Sequence, residues 1–208
     1  MAVDAVPPVV PAFEFSVASQ GMSKGVRQSE GAQFIIRPSI KARGFQLGAQ
    51  WKNISTNSAK GEASIIGGWN GKAGGFDLGG SLAYKILTSA AGSGNRRSWE
   101  ASASLSRKAG KLGMRASAVF SPDDLGSTKQ SLYVEGGPSL DLPALFRLSA
   151  NLGHRWRDGS PDYTSYNIGI SRPVLKVLTA DVRLYDTNRG ELGRTYERRL
   201  VGSMRLAL

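Results

Sequence analysis

The chain has no cysteine and a single histidine, His154. Disulfide staples, thiolate metal sites and His-rich metal centres are therefore excluded. No apolar run reaches the roughly 18 residues that a transmembrane helix needs, and no segment holds a hydrophobic period of 3.6 for long. The opening MAVDAVPPVVPA has neither a basic start nor an unbroken apolar stretch, so it does not read as a secretory signal. It reads as the Pro-rich start of a mature exported chain with an added or retained Met. Nothing in the composition marks a linker between two domains.

What the chain has in quantity is glycine, 26 residues, and positive charge, with 27 Lys and Arg against 16 Asp and Glu for a formal balance of +11. Glycine is costly inside helices, which favours strands and turns. Nucleic-acid binding would need basic side chains gathered beside stacking aromatics. Here they are spread along the whole chain among carboxylates, and no nucleic-acid partner is expected.

The stretch GFQLGAQWKN, residues 44–53, carries the dominant signal. Phe45, Leu47, Ala49 and Trp51 fall on one face of a strand, with Gln46, Gly48, Gln50 and Lys52 on the other. The same alternation predicts about twelve strands, over 13–23, 33–43, 45–53, 61–70, 75–87, 97–107, 112–121, 131–141, 145–156, 164–172, 177–186 and 198–208. Each is near the nine to eleven residues with which a tilted strand crosses a bilayer. Pro38 and Pro138 fall inside two of them, where each removes a ladder hydrogen bond; a bulge or a shifted strand boundary is expected there.

Short links such as RGF, GKAGG and KAGK alternate with longer polar ones such as KGVRQSEGA, SPDDLGSTKQ and DTNRGELGRTYE. In an up-and-down barrel this places all short turns at one rim and all long loops at the other, as in outer-membrane barrels. On the apolar face, Phe34, Trp51, Tyr84, Trp99, Phe120, Trp156 and Tyr166 fall toward the long-loop rim, and Phe13, Phe45, Trp69, Phe76 and Phe146 toward the short-turn rim. Between them lies a band without Asp, Glu, Lys or Arg. Two aromatic belts around an uncharged band suit a lipid-facing wall. A soluble barrel would have to fill an interior about 24 Å across with small residues such as Ala101, Ala103, Ala116, Ala118 and Ala150, which cannot reach native packing density. The expected fold is all-β: a transmembrane antiparallel up-and-down β-barrel of about 12 strands over residues 13–208, preceded by a periplasmic segment over 1–12.

Several motifs also resemble one family. GMSKGVRQSEGAQFIIRPSIKARGFQLGAQWKNI is similar to the opening of the TorF-type porins, small outer-membrane proteins of proteobacteria. GEASIIGGW, FDLGGSLAY and SLYVEGGPSLDLP continue the likeness, which is greatest at LGHRWRDGSPDYTSYNIGISRP and LTADVRLYDTN. The resemblance implies a porin barrel with no defined substrate and no catalytic residues to carry over. The chain departs from that pattern in its basicity and in ending on Leu208 where the family ends in an aromatic.

The face opposite the apolar one should line the lumen. Eleven Lys and Arg against seven Asp and Glu give it a balance of +4. The pore-lining candidates are Arg37, Lys41, Arg115, Glu135, Arg147, Asp181, Arg183 and Arg205. The expected function is an outer-membrane channel for passive diffusion of small hydrophilic solutes with a weak preference for anions. If the lumen charges pair completely, a closed barrel with a structural or surface role is the alternative. Glu14 and Arg205 should meet where the first and last strands close the barrel, with Lys41 competing. No enzyme, metal or cofactor is expected: His154 has no nucleophile in an obvious position, and Asp123 and Asp124 read as turn residues or weak cation sites. Membrane lipid is an expected partner, and Arg96, Arg97, Arg198 and Arg199, near the outer rim, are candidates for lipopolysaccharide phosphates.

Overall fold

The computed structural model describes residues 9–56, 58–91 and 94–208. Among the described residues, fourteen strands follow one another along the chain. The first part holds β1 (Val10–Ala18), the two-residue β2 (Met22–Ser23) and β3 (Val26–Arg27), then β4 (Gln33–Ala42), β5 (Phe45–Asn53), β6 (Gly61–Ala73) and β7 (Phe76–Thr88). The second part holds β8 (Arg97–Ala109), β9 (Leu112–Ser121), β10 (Ser131–Asp141), β11 (Arg147–Arg157), β12 (Tyr163–Leu175), β13 (Leu178–Thr187) and β14 (Arg199–Ala207). All except β2 and β3 form one closed antiparallel barrel of twelve strands, in which β1 pairs with both β4 and β14. β2 and β3 pair only with each other.

Turn chemistry fixes the short-turn rim. Arg43 and Gly44 take φ of 50° and 82°, and Gly74 and Gly75 take 57° and 79°. Positive φ at both central residues is what a two-residue hairpin demands. Several strands run further toward this rim than alternation predicts: β6 reaches Ala73, β8 Ala109 and β12 Leu175. Polar end residues continue the ladder there because backbone pairing does not need an apolar face.

The first strand is the one clear departure from expectation. It spans 10–18 rather than 13–23, and the chain then turns to make the β2–β3 ribbon. The prolines also behave differently from the expected bulge or boundary shift. Pairing of β4 with β5 is continuous in register but skips residues 37 and 38, and pairing of β10 with β11 skips 137 and 138. Each proline keeps its place in the ladder on the other side, Pro38 opposite Phe13 and Pro138 opposite Met114. A glycine sits at each gap. A Cβ on Gly48 would lie 2.8 Å from the Pro38 carbonyl oxygen, and one on Gly137 would lie 1.9 Å from that of Ala150. Close strand approach, not a register shift, accommodates the missing N–H groups.

The barrel is apolar outside. Phe34, Trp51, Trp99, Phe120, Trp156 and Tyr166 are exposed toward the long-loop rim, and Phe13, Phe45 and Trp69 toward the short-turn rim. Ile65, Leu82, Leu152 and Val182 are exposed between them. Among the described residues, charged groups on the outward face include Arg107 over the Phe76 ring at 5.1 Å, Arg172 over Phe146 at 5.0 Å, and Asp186, which pairs across the ladder with Tyr166 and holds Arg198 at 2.8 Å. The buried hydrophobic cluster among the described residues is small, Ile54, Ala59, Leu87 and Leu125, and it sits beneath the long loops. A water-soluble protein buries its large side chains. This one turns them outward, which suits hydrocarbon and rules out the soluble alternative.

Candidate pore and its constriction

Inward positions on the same strands carry the polar and charged groups. Near the short-turn rim and mid-depth, the expected lining residues all sit on this face, and most have partners. Arg37 Nη1 lies 3.2 Å from Glu14 Oε1 and its Nε donates to Gln50 Oε1 at 3.0 Å. Arg205 reaches the other oxygen of Glu14 at 3.8 Å. Glu14 and Arg205 thus meet as expected, but the competing partner is Arg37; Lys41 makes no ion pair among the described residues. Arg115 stands 3.9 Å from Glu135 and Arg147 2.7 Å from Asp141, which also holds Lys108. Arg183 is gripped by Asp181 at 3.0 Å, Asn167 at 2.7 Å and Ser149 at 2.8 Å.

These arginines are not equivalent. Arg183 has only 14 % of its side chain exposed, whereas Arg115, Arg205 and Arg147 keep 60 %, 59 % and 53 %. The exposed three present charge to the lumen while touching a carboxylate at one edge. The lumen charges are therefore partly paired and partly free, between the two extremes that the sequence leaves open.

The long-loop half of the lumen holds what alternation does not reveal. The loop from β1 to β4 folds inward as the β2–β3 ribbon. Its tip is Lys24–Gly25, with φ of 49° and 78°, the signature of a tight two-residue hairpin. The tip rests on β12: Tyr163 Oη donates to the Lys24 carbonyl at 2.6 Å, and a Cβ on Gly25 would lie 2.2 Å from the Ser165 Cβ. Only glycine fits there. From that seat the Lys24 side chain reaches across to β8 and to the β9–β10 loop, placing Nζ 2.7 Å from Glu100 and 3.1 Å from Asp124.

Lys24 joins a chain of alternating charge around the wall. Lys52 bonds Glu62 at 3.2 Å, Lys85 lies 3.9 Å from Glu62 and 2.7 Å from Glu100, and Arg155 lies 2.5 Å from Asp124. Gln28 of the ribbon loop accepts from Lys52 Nζ at 2.7 Å. Buried charges are tolerable only when paired and hydrogen-bonded; every member of this series has an ion partner, while Glu62 Oε1 and Arg155 Nε lack a hydrogen bond. Asp124 shows the effect. Burial alone would raise its carboxyl, but Lys24 and Arg155, with the Leu125 N–H and the Ser131 hydroxyl, hold it well below the usual carboxylate range. It is a buried ionic acceptor, not the turn residue or cation site that SPDDLG suggests. Asp123 serves the loop, accepting from Asn95 Nδ2 at 2.9 Å.

The ribbon divides the lumen in two. On its short-turn side lies a cavity of about 470 Å³ walled by Arg115, Glu135, Arg147, Asn151, Asn167 and Arg183, with Ser23, Lys24 and Gly25 as its roof. On its long-loop side lies a smaller space of about 140 Å³ bounded by Arg27, Lys85, Asp124, Arg155 and Arg157. Ser23 and Lys24 line both. No group of His, Asp or Glu suited to a metal ion occurs among the described residues. His154 faces outward near the long-loop rim, where Nδ1 lies 2.8 Å from Thr164 Oγ1 and the ring meets Trp156 edge-on at 4.5 Å. That contact orients an interfacial histidine and supplies no nucleophile–base–acid series.

No family model matches the chain, and no curated protein matches it by sequence. Solved structures match by fold. A structure described as the KdgM porin superposes with a TM-score of 0.64 at 10 % identity, covering 94 % of this chain and 98 % of that one; the KdgM porin in complex with disordered oligogalacturonate gives 0.63 with the same identity and coverage. A NanC porin gives 0.59 at 8 % identity over 95 % of this chain and 98 % of its own. The COG4313 outer membrane channel from Pseudomonas putida F1 gives 0.58 at 12 % identity, covering all of this chain and 98 % of that one. At such identities the likeness is one of fold, and it extends over the full barrel.

Proposed function

We propose that the protein is an outer-membrane, porin-like channel through which small hydrophilic solutes diffuse passively, with a modest preference for anions. The observation that carries this reading is the roofed cavity inside an inside-out barrel: its lining includes Lys24, Arg115, Arg147 and Arg183 against one carboxylate, Glu135. Basic groups confined in a pore are screened less than those on an open surface and raise the local concentration of anions. The fold shared with the KdgM and NanC porins, and the motif order that resembles TorF-type porins, support the same assignment. The KdgM complex with an oligogalacturonate, a polyanion, agrees with an arginine-lined lumen of this sort. The lining set proposed is Arg37, Lys41, Arg115, Glu135, Arg147, Asp181, Arg183 and Arg205, with Arg115 and Arg147, each paired at one edge but more than half exposed, presenting most charge to the solute path. In this orientation the short-turn rim faces the periplasm; of the expected periplasmic segment 1–12, residues 1–8 lie outside the described residues and 10–12 begin β1. Arg96, Arg97 and Arg198 stay candidates for lipopolysaccharide phosphates, whereas Arg199 turns inward to Gln20.

Reversal potential in planar bilayers under a KCl gradient tests the assignment. The expected result is a discrete conductance with a reversal potential on the anion-selective side. A cation-selective barrel sinks the anion preference, and a barrel that never conducts, even without its ribbon, sinks the channel. The ribbon itself favours a second reading, a barrel closed at rest, because it separates the two spaces of the lumen.

A further inference from the structure

We infer that the β2–β3 ribbon is a displaceable latch, which closes the lumen when Lys24 is seated on Glu100 and Asp124 and opens it by swinging outward when that seat is vacated. This deepens the channel reading and rests on it.

A loop that plugs a barrel permanently becomes part of its core, and withdrawing it would strand buried groups. The wall here is arranged otherwise. Each carboxylate that Lys24 touches has a cation of its own: Lys85 lies 2.7 Å from Glu100, and Arg155 lies 2.5 Å from Asp124. Glu62, next in the chain, has Lys52 and Lys85. Without Lys24 the wall keeps Lys52, Lys85 and Arg155 against Glu62, Glu100 and Asp124, three of each sign. Unlatching therefore leaves no buried carboxylate without a counter-charge, the usual reason for the high cost of breaking a buried pair. Lys24 itself, once outside, is hydrated as any exposed ammonium is. The tip itself is seated on polar groups, Ser165 and the Tyr163 hydroxyl, and Val26 beside it is the ribbon's buried apolar side chain.

The ribbon is built to move as one piece. Its base is closed on itself: Gln28 N–H donates to the Gly21 carbonyl at 2.7 Å, Gly21 N–H to Ser29 Oγ at 2.6 Å, and Ser29 Oγ to the Gly31 carbonyl at 2.7 Å. Both stems leave from adjacent paired strands, β1 and β4, whose Ala18 and Gln33 face each other. A hairpin with its own closed base and two neighbouring anchors can pivot beyond Ser19, whose N–H stays on the Gly202 carbonyl of β14 at 2.8 Å, and at Gly31, next to Ala32, whose carbonyl takes Asn53 Nδ2 at 2.8 Å. Its further backbone ties, Arg27 N–H to the Thr195 carbonyl and Ser55 N–H to the Gln28 carbonyl, run to loops. In addition to the Lys24 and Tyr163 seat, its ties to wall strands are single side-chain bonds, Lys52 Nζ to Gln28 Oε1 at 2.7 Å and Arg199 Nη1 to Gln20 Oε1 at 3.2 Å.

The test uses the cysteine-free background of the chain. Ser165→Cys places one thiol under the tip, and its modification by a water-soluble thiol reagent is followed in the folded, detergent-solubilised barrel. Adding Lys24→Ala should speed modification about tenfold, and replacing residues 22–27 by a Gly-Gly link should speed it further. In planar bilayers without the thiol, the wild type should show a dominant low level with brief high openings. Lys24→Ala should spend several-fold more time at the high level, and the ribbon deletion should stay there. Equal thiol reactivity with and without Lys24 overturns the latch, whether or not the barrel conducts. A deletion that raises conductance while Lys24→Ala changes neither reactivity nor open time also overturns it, leaving a fixed constriction. A latch that lifts by thiol reactivity in a barrel that conducts in no variant would instead overturn the channel assignment.

Discussion

Glu14 and Arg205 face each other across the seam that closes the barrel, 3.8 Å apart on adjacent strands β1 and β14, while the other oxygen of Glu14 takes Arg37 at 3.2 Å. One carboxylate thus ties the first barrel strand to both of its neighbours. Glu14 is a quarter exposed and its two partners more so, so water still screens each tie, which is worth on the order of 1 kcal/mol or less. Double-mutant cycles by urea unfolding in lipid vesicles should find coupling of Glu14 to Arg37 larger than to Arg205, and none to Lys41. A larger coupling to Lys41 would reverse that ranking.

Ala103 is exposed on the outward face and pairs with Gly80 and Ala118, between the belt residues Trp69 and Phe120. Ala103→Arg should destabilise the barrel in bilayers by about 2–4 kcal/mol, the depth-dependent cost of a cation at mid-membrane on a lipid-facing strand. The same substitution at Ser104, which faces the lumen, should cost far less. Folded wild type should also migrate faster than boiled protein in SDS gels.

Selectivity should follow exposure rather than the overall charge of +11. Arg115→Glu with Arg147→Glu should weaken or reverse anion preference, as read by reversal potential, because these side chains reach open lumen. Arg183→Glu alone should act mainly on stability, because it would break a buried set of bonds to Asp181, Asn167 and Ser149. A selectivity fixed by Arg183 and indifferent to Arg115 would show that the path runs along β12 and β13 instead.

The depressed carboxyl of Asp124 sets how the latch answers to acid. The groups facing it are Lys24, Arg155, the Ser131 hydroxyl and the Leu125 N–H, and Glu100 shares Lys24 with it. A carboxylate whose folded value lies below its unfolded value contributes stability that is complete above the unfolded value, near 3.9, and is lost as pH falls through the folded one. Conductance traces should therefore show the same low-level dominance at pH 8 and pH 5, with release beginning only below about pH 4. Asp124→Asn should remove that acid limb. Unlatching at pH 6 would point to another group.

Most of the barrel was legible because alternation is a local property. Phe45–Asn53, Leu112–Ser121 and Ser131–Asp141 form strands over the same residues that period-two patterning assigns, since one face must meet lipid and the next residue must not. The alternating short and long links gave the topology for a similar reason. The ribbon was not legible. Phe15 and Val17 continue into SQGMSKGV with no loss of polarity contrast, so the strand seemed to run on, and the Lys-Gly pair that turns it is too common to signal a turn alone. What places Lys24 in the lumen is Glu100 and Asp124, residues 76 and 100 positions away. Asp124 was equally hidden, because burial of a loop residue depends on what folds over it. The prolines are visible in the sequence, but the glycines beside their gaps, Gly48 and Gly137, which leave room for a neighbouring carbonyl, are found only from the register.

Those two proline gaps also have a mechanical side. One lies between β4 and β5 and the other between β10 and β11, so they cut the ring into two arcs of six strands each, β5 to β10 and β11 through β14 and β1 to β4. A hoop weakened at two opposite points changes its outline more readily than its circumference: it ovalises. Both gaps are short, since the strands pair on either side of residues 37 and 38 and of 137 and 138, and the first is bridged by the Arg37–Gln50 side-chain bond. A change in the outline of the wall would start along these two lines, where the backbone ladder is not made.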